Sequence, residues 1–284
     1  SRAQRQLVVP PSQALLRRKL ASIVSGVTLP SLVLIPKNGL GNRLRAIAGG
    51  LATARALGRE LEVLWEPYDG SATTPQDLFD EPVSFRFISP VEAEGRGIAS
   101  RTLPKYLHSS VGLISLRGYD RGQQALLHEF MDLARAKPMS EAVIAAGNYF
   151  HPSARNEKEI DSRTTLERRA LSTLLPFNTA VTNRSLTTRP PGDYLAVHLR
   201  GTDRRKEVPS PLRVISRAVS VSKREGLNAV FLCSDSEETR ARAVELLKRR
   251  RLQVFLDPQS PMRRDVEGEI GAAADFLNLR IRLL

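Results

Sequence analysis

Residues 31–65 read SLVLIPKNGLGNRLRAIAGGLATARALGRELEVLW. The run Leu32, Val33, Leu34, Ile35 is apolar on both alternating faces, as in a strand buried inside a parallel sheet, and it stops at Pro36-Lys37-Asn38-Gly39. The period then changes. Leu44, Ile47, Ala48, Leu51 and Ala54 recur at helical spacing from Arg43 to Leu57, and Gly58 is a C-terminal stop. Leu61, Val63, Leu64 and Trp65 make a second strand. Strand, glycine turn, helix and strand in so short a stretch form one βαβ unit, which demands a parallel sheet and a right-handed crossover. Gly49-Gly50 inside the helix costs about 1 kcal/mol per residue relative to alanine, so close packing against a strand or neighbouring helix is the expected purpose.

Further along, strands and helices alternate again: Tyr194–Leu199 as strand, Leu212–Arg224 as helix ended by Glu225-Gly226, Ala229–Cys233 as strand, Glu237–Arg250 as helix, Leu252–Leu256 as strand. That series predicts a second doubly wound parallel sheet. Between the two series, Pro and Gly punctuate residues 66–160 around a strand at Phe85–Ile88, with helices at Gln123–Ala136 and Thr165–Leu175. Asn178 to Gly192 has the composition of a linker, and the first residues, with a short helix from Gln13 to Val24, read as a leader. The expected organisation is a leader over 1–28, an α/β domain over 29–178, a linker over 179–192 and an α/β domain over 193–284, the two domains facing each other across a cleft.

Composition agrees with a folded α/β protein. Of 284 residues, 41% are hydrophobic and 26% charged, enough for a sizeable core and unlike a disordered chain. Lys plus Arg is 43 against 30 Asp plus Glu, a formal charge of +13 that suits a polyanionic or phosphorylated partner. Only eight of these cations are Lys, so a bias toward Arg explains part of the excess. The basic stretches Asp203-Arg204-Arg205-Lys206 and Lys248-Arg249-Arg250-Arg251 lack interleaved aromatics, and aromatics are 5% of the chain, which argues against a base-stacking nucleic-acid platform. These stretches read as solvated surface or the mouth of the cleft. The single cysteine, Cys233, excludes an intramolecular disulfide framework and any multi-cysteine metal site. No run approaches the ~18–20 apolar residues of a membrane-spanning helix. The chain begins at Ser1 and not at Met, which leaves room for an upstream targeting or anchoring segment.

Three segments carry the chemistry. Asn38-Gly39-Leu40-Gly41-Asn42-Arg43 stands at a strand-to-helix turn, where unpaired backbone N–H groups and the positive end of the helix dipole favour an anion or a polar substrate. A tight turn with Asn42 as the helix N-cap explains the same residues. The dinucleotide fingerprint needs a third glycine where Leu44 stands, and no Gly-Lys-Ser/Thr occurs. His198-Leu199-Arg200-Gly201-Thr202-Asp203 follows a strand. His198 and Arg200, two apart, point to one side of it, and Arg200 can fork onto a phosphate beside His198, a pairing that suits a diphosphate leaving group. A hydrogen-bonded structural histidine and a turn-forming Asp203 are the bland alternative. In Cys233-Ser234-Asp235-Ser236-Glu237-Glu238, Asp235 or Ser236 reads as an N-cap, with the two glutamates complementing the helix dipole. No Asp-x-Asp, no pair of histidines at metal spacing and no Gly-x-Ser-x-Gly elbow is present, so neither metal nor serine-hydrolase chemistry has support.

Taken in order, Gly39-Leu40-Gly41-Asn42-Arg43, His198-Leu199-Arg200-Gly201-Thr202-Asp203 and Val230-Phe231-Leu232-Cys233-Ser234-Asp235 resemble the GDP-fucose fucosyltransferase superfamily, which includes α1,2, α1,6, nodulation-type and protein O-fucosyltransferases. The resemblance implies a two-domain GT-B fold and transfer of L-fucose from GDP-fucose, with inversion and without a required metal, to a glycan or glycoprotein acceptor. It implies that Arg200 binds the β-phosphate and neutralises charge as GDP departs. His198 then lies beside the nucleotide, Asp203 orients its loop and Asp235 belongs to the nucleotide side, while Gly39, Gly41, Asn42 and Arg43 face the diphosphate or sugar from the first domain. Asp275, in Ala274-Asp275-Phe276-Leu277, falls where relatives read guanine; its carboxylate can accept from N1–H and N2–H. A surface helix residue is the alternative. Gly201 stands where the α1,6 branch carries a second arginine. Glu207 lies one residue from the place where some relatives have the base for the acceptor hydroxyl. Relatives continue with a further strand and a serine-rich loop beyond the position of Leu284, so a truncated C-terminal domain, and a non-catalytic sugar- or nucleotide-sugar-binding relative, are the alternatives within this reading. A basic nucleic-acid-binding protein is the alternative outside it.

Overall fold

A computed structural model describes residues 30–37, 39–66, 73–98, 112–116, 121–147, 150–154, 173–199, 210–234, 236–256 and 270–275, with single positions at 159, 163, 171 and 278. Strand β1 (Leu32–Pro36) is buried along its whole length because it has parallel neighbours on both sides, β2 (Leu61–Leu64) and β5 (Ala142–Ala146). Leu34 stands opposite Val63 on one side and Ile144 on the other. β3 (Phe85–Ile88) pairs outside β2 and β4 (Gly112–Leu116) outside β5, giving a parallel sheet of order β3-β2-β1-β5-β4. The chain builds outward from β1 to β3 and then crosses to the other flank. The carboxyl end of β1 therefore sits at the switch in strand order, where open α/β sheets bind ligands.

Helix α1 (Leu40–Leu57) makes the expected return from β1 to β2 and ends at Gly58, whose φ of 71° closes the helix in the left-handed region. A Cβ on Gly49 would stand 2.5 Å from the Phe150 carbonyl oxygen, and one on Gly50 2.9 Å from Leu34 Cδ2. The paired glycines thus have the packing role read from the sequence. Two short helices follow β2 and β3, α2 (Pro75–Leu78) and α3 (Pro90–Gly95). α4 (Arg121–Ala136) connects β4 to β5 and buries Leu127, Phe130, Met131 and Ala134 with α1 on one face of the sheet. On the other face Val33, Ile35, Leu64 and Ile88 pack with Ala93 of α3 and Ile98.

In the second sheet, β6 (Leu195–Leu199), β7 (Ala229–Ser234) and β8 (Gln253–Phe255) run parallel in that order. Helices α6 (Pro211–Arg224) and α7 (Glu237–Arg249) cover one face through Ile215, Ala218, Ala243 and Leu247. Tyr194 belongs to the opposite face with Phe231 and Cys233, and its hydroxyl donates to the Asn278 carbonyl at 3.0 Å.

Three features differ from the sequence reading. The expected linker contains α5 (Thr179–Thr188), started by Asn178, whose Oδ1 accepts from the Val181 N–H at 3.1 Å. Its buried side is Val181 and Ser185, and Ser185 Oγ donates to Asn278 Oδ1 at 2.7 Å, so a polar buried position hides the helical period. Helix α1 starts at Leu40, before Arg43, with Gly39 as its N-cap, so Asn42 is inside the first turn and is not the cap. β4 and β5 give no clear sequence signal; in β5, Ala142, Ala145 and Ala146 have little β-propensity and owe their strand to burial between β1 and β4. The leader and most of the helix expected over Thr165–Leu175 lie outside the described residues.

Candidate functional site

The turn from β1 into α1 is unusual for what it leaves out. Gly39 caps the helix with φ −66° and ψ 165°, an ordinary extended conformation, and supplies no side-chain oxygen to the first turn. A Cβ at Gly39 would meet nothing within 4 Å. Neither backbone conformation nor packing asks for glycine here; what its absent side chain provides is an approachable backbone. No acidic residue stands in the first turn, so the positive end of the α1 dipole is not offset by the helix's own side chains.

Asn42 and Arg43 of this motif have partners of their own. Asn42 Oδ1 accepts from Arg45 Nη1 at 3.1 Å. Arg43 is only 4% exposed, and its guanidinium carbon lies 4.4 Å from the centroid of the Trp65 ring, a cation–π contact made stronger by desolvation. Trp65 is itself fixed: its indole N–H donates to the Thr73 carbonyl at 3.1 Å, and its ring meets Phe79 and Phe87 edge-on. Arg43 therefore braces the turn against the end of β2.

Lys37 and Glu66 stand beside the same turn, just past the carboxyl ends of β1 and β2, and the Lys37 ammonium is paired with Glu66 Oε2. Lys37 also extends the β1–β5 ladder, its backbone N–H donating to Ala146 at 2.8 Å. Sequence reasoning passes over this pair because the two residues are 29 positions apart and only the register of β1 on β2 brings them together.

In the second sheet, His198 is exposed near the end of β6, opposite Cys233 in register and on the face that carries Cys233 and Tyr194. The Cys233 thiol donates to the Val197 carbonyl at 3.7 Å, and burial together with the charge of Asp275 pushes it well above the ordinary thiol range. Asp275 is 5% exposed, so it is not a surface helix residue. It lies three residues before Asn278, whose carbonyl accepts from Tyr194 on the face of the sheet that bears His198. Ser236 is the N-cap of α7, accepting from the Thr239 N–H at 3.3 Å, with Glu237 and Glu238 in the first turn. Arg200, Asp203, Glu207 and Asp235 lie outside the described residues. Among the described residues no three His, Cys, Asp or Glu gather as a metal ion would need, and no helix is long and apolar enough to cross a membrane.

By sequence, no family model and no curated protein matches the chain. By structure, the α-1,6-fucosyltransferase NodZ crystallized with GDP superposes with a TM-score of 0.57 at 15% identity, over 88% of this chain and 85% of that one. POFUT1 in complex with GDP gives 0.53 at 14% identity, over 87% and 89%. A mutant of Arabidopsis thaliana FUT1 in complex with GDP gives 0.56 at 12% identity, over 95% and 68%. The fold is that of the GDP-fucose fucosyltransferases. The β1–α1 turn and the ends of β6 and β7 stand at the carboxyl ends of parallel strands.

Proposed function

We propose that the chain transfers L-fucose from GDP-fucose to a hydroxyl of a glycan or glycoprotein, with inversion and without a metal ion. The observation that carries this reading is the coincidence of a fucosyltransferase fold with three motif segments, each at the carboxyl end of a parallel strand: Gly39–Arg43 after β1, Arg200 directly after β6, and Asp235 directly after β7. Residues 29–178 form the acceptor-side domain and residues 193–284 the donor-side domain. In the reaction the acceptor oxygen attacks the anomeric carbon from the face opposite GDP, the bond from that carbon to the β-phosphate oxygen breaks, and GDP leaves with the electron pair. Arg200 takes up the charge that develops on the β-phosphate, an interaction stronger in the transition state than in the ground state. Glu207 receives the acceptor proton, and His198 and Asp203 order the phosphate side. Asp275 selects guanine, which offers two N–H donors to a carboxylate where adenine offers no such pair.

The test is incubation with radiolabelled GDP-fucose and a glycan array in the presence of EDTA, with GDP-mannose as the control donor. The expected result is label on a subset of glycans, an anomeric configuration opposite to that of the donor, and no label with Arg200→Ala. Transfer that needs a divalent cation, retains configuration or prefers GDP-mannose would overturn the proposal. Tight GDP binding with no transfer to any acceptor would favour a binding relative without turnover.

A further inference from the structure

Two glutamates of the first sheet, four residues apart at the two ends of β2, are held in opposite ways. Glu62, at the amino end, is bonded on both oxygens: Oε2 accepts from Ser31 Oγ and from Arg96 Nη1, the latter at 2.7 Å, and Oε1 accepts from Arg86 Nη2. This is how a buried carboxylate is satisfied when its role is structural. Glu66, past the carboxyl end, has a side chain only 13% exposed; Lys37 occupies Oε2, and Oε1 is buried with no hydrogen-bond partner among the described residues. A buried polar atom without a partner is a net cost, and an ion pair with a half-buried lysine returns little against it. As a stability device the pair is poor.

Its geometry has another use. The Lys37 side chain is 38% exposed, and an ammonium has three donors, of which Glu66 engages one side. Lys37 stands two residues before Gly39, at the switch point of the sheet. Resting on the fucosyl-transfer reading above, the geometry points to Lys37 as a donor-binding cation that contacts the sugar-side phosphate of the nucleoside diphosphate sugar, with Glu66 as the buried positioning residue that aims it. Lys37 then shares with the cation from the second domain the charge that appears on the leaving diphosphate.

The experiment compares GDP with GMP, which lacks the outer phosphate, by calorimetric titration of the wild type, Lys37→Met, Lys37→Arg and Glu66→Gln, with the thermal midpoint of each recorded. Loss of one charge-assisted phosphate contact predicts roughly tenfold weaker GDP binding in Lys37→Met, with GMP binding changed less than about twofold. Lys37→Arg, which keeps the charge, recovers most of the GDP affinity. Glu66→Gln weakens GDP by about threefold, again without an effect on GMP, because it loosens the aim of the ammonium and not the base contacts. A structural role alone would shift both nucleotides together with the thermal midpoint. GDP affinity unchanged in Lys37→Met, or GDP and GMP weakened in parallel, overturns the inference while leaving the donor assignment intact. Failure of the wild type to bind GDP at all overturns the donor assignment itself. If Glu66→Gln does not fold, the two Lys37 variants still decide.

Discussion

The β1–α1 and β7–α7 turns are built from the same parts and finished differently. Both lead from a buried parallel strand into a helix. At β7–α7 the serine side chain of Ser236 closes the first turn, and Glu237 and Glu238 offset the dipole. At β1–α1 the cap is Gly39, which supplies no side-chain cap bond, and the helix's own first turn holds no acidic residue. Elsewhere Ser89, Asn178 and Ser210 cap α3, α5 and α6 with side-chain oxygens. One helix start carries a side-chain cap; the other, among the described residues, does not. The contrast extends along α1. Just past its carboxyl end the Arg59 guanidinium donates to the carbonyls of Ala134, Lys137, Pro138 and Ser140 at 2.6–3.3 Å, locking α1 to the end of α4. α1 is anchored at one end and open at the other.

The largest expected effect concerns the anchored end. Arg59→Met removes a buried guanidinium and strips four carbonyls, that of Ala134 buried, of their donor, and should cost about 3 kcal/mol in chemical denaturation; a loss below about 1 kcal/mol would mean that α1 is held mainly by its glycine packing. Next is the open end. Gly39→Asp adds a cap and a negative charge in free space, and should weaken GDP binding about tenfold while raising stability by about 0.5 kcal/mol. Stability gained with GDP affinity unchanged would break the comparison. Ser236→Ala is the mirror experiment: about 1 kcal/mol less stable by denaturation, with little effect on nucleotide affinity.

The smallest effects are slopes with pH. Burial alone would raise the Glu62 carboxyl, but hydrogen bonds from Ser31 and Arg96 and the charges of Arg96 and Arg86 outweigh it and hold its pKa below the ordinary value. Its contribution is present above that ordinary value and is lost as pH falls through the lowered one, so Glu62→Gln should flatten the acid limb of the stability curve. Burial, with a further contribution from Arg163, lowers His151 from 6.5 to about 4. The unfolded chain then takes up a proton that the fold refuses, and stability falls as pH drops from 6.5 toward 4. His151→Gln should remove that slope, measured as thermal midpoint against pH.

What the sequence reveals of this molecule follows from how local each determinant is. The βαβ unit from Leu32 to Trp65 is legible because its period changes from strand to helix and back within one stretch and Gly58 marks the stop. The β6-to-β8 series is legible for the same reason, and of the two caps its sequence offers, Asp235 and Ser236, the structure uses Ser236. β5 is not legible, since its alanines become a strand only through β1 and β4. α5 hides because Ser185, a polar residue, faces inward to Asn278. At the candidate site, the glycine turn and the exposed His198 can be read along the chain. The seating of Arg43 on Trp65 and the pairing of Lys37 with Glu66 depend on register between strands, which no short motif encodes. Asp275 is found only by motif order, and its burial is a tertiary fact.

The central claim is that this fold holds a GDP-sugar, and the most direct measurement is calorimetric titration of the purified chain with GDP, ADP and UDP beside the Arg200→Ala variant. The account predicts saturable GDP binding, preferred over ADP and UDP by about tenfold or more and lost in the variant. Equal affinity for all three nucleotides, or GDP binding that survives Arg200→Ala undiminished, would contradict it.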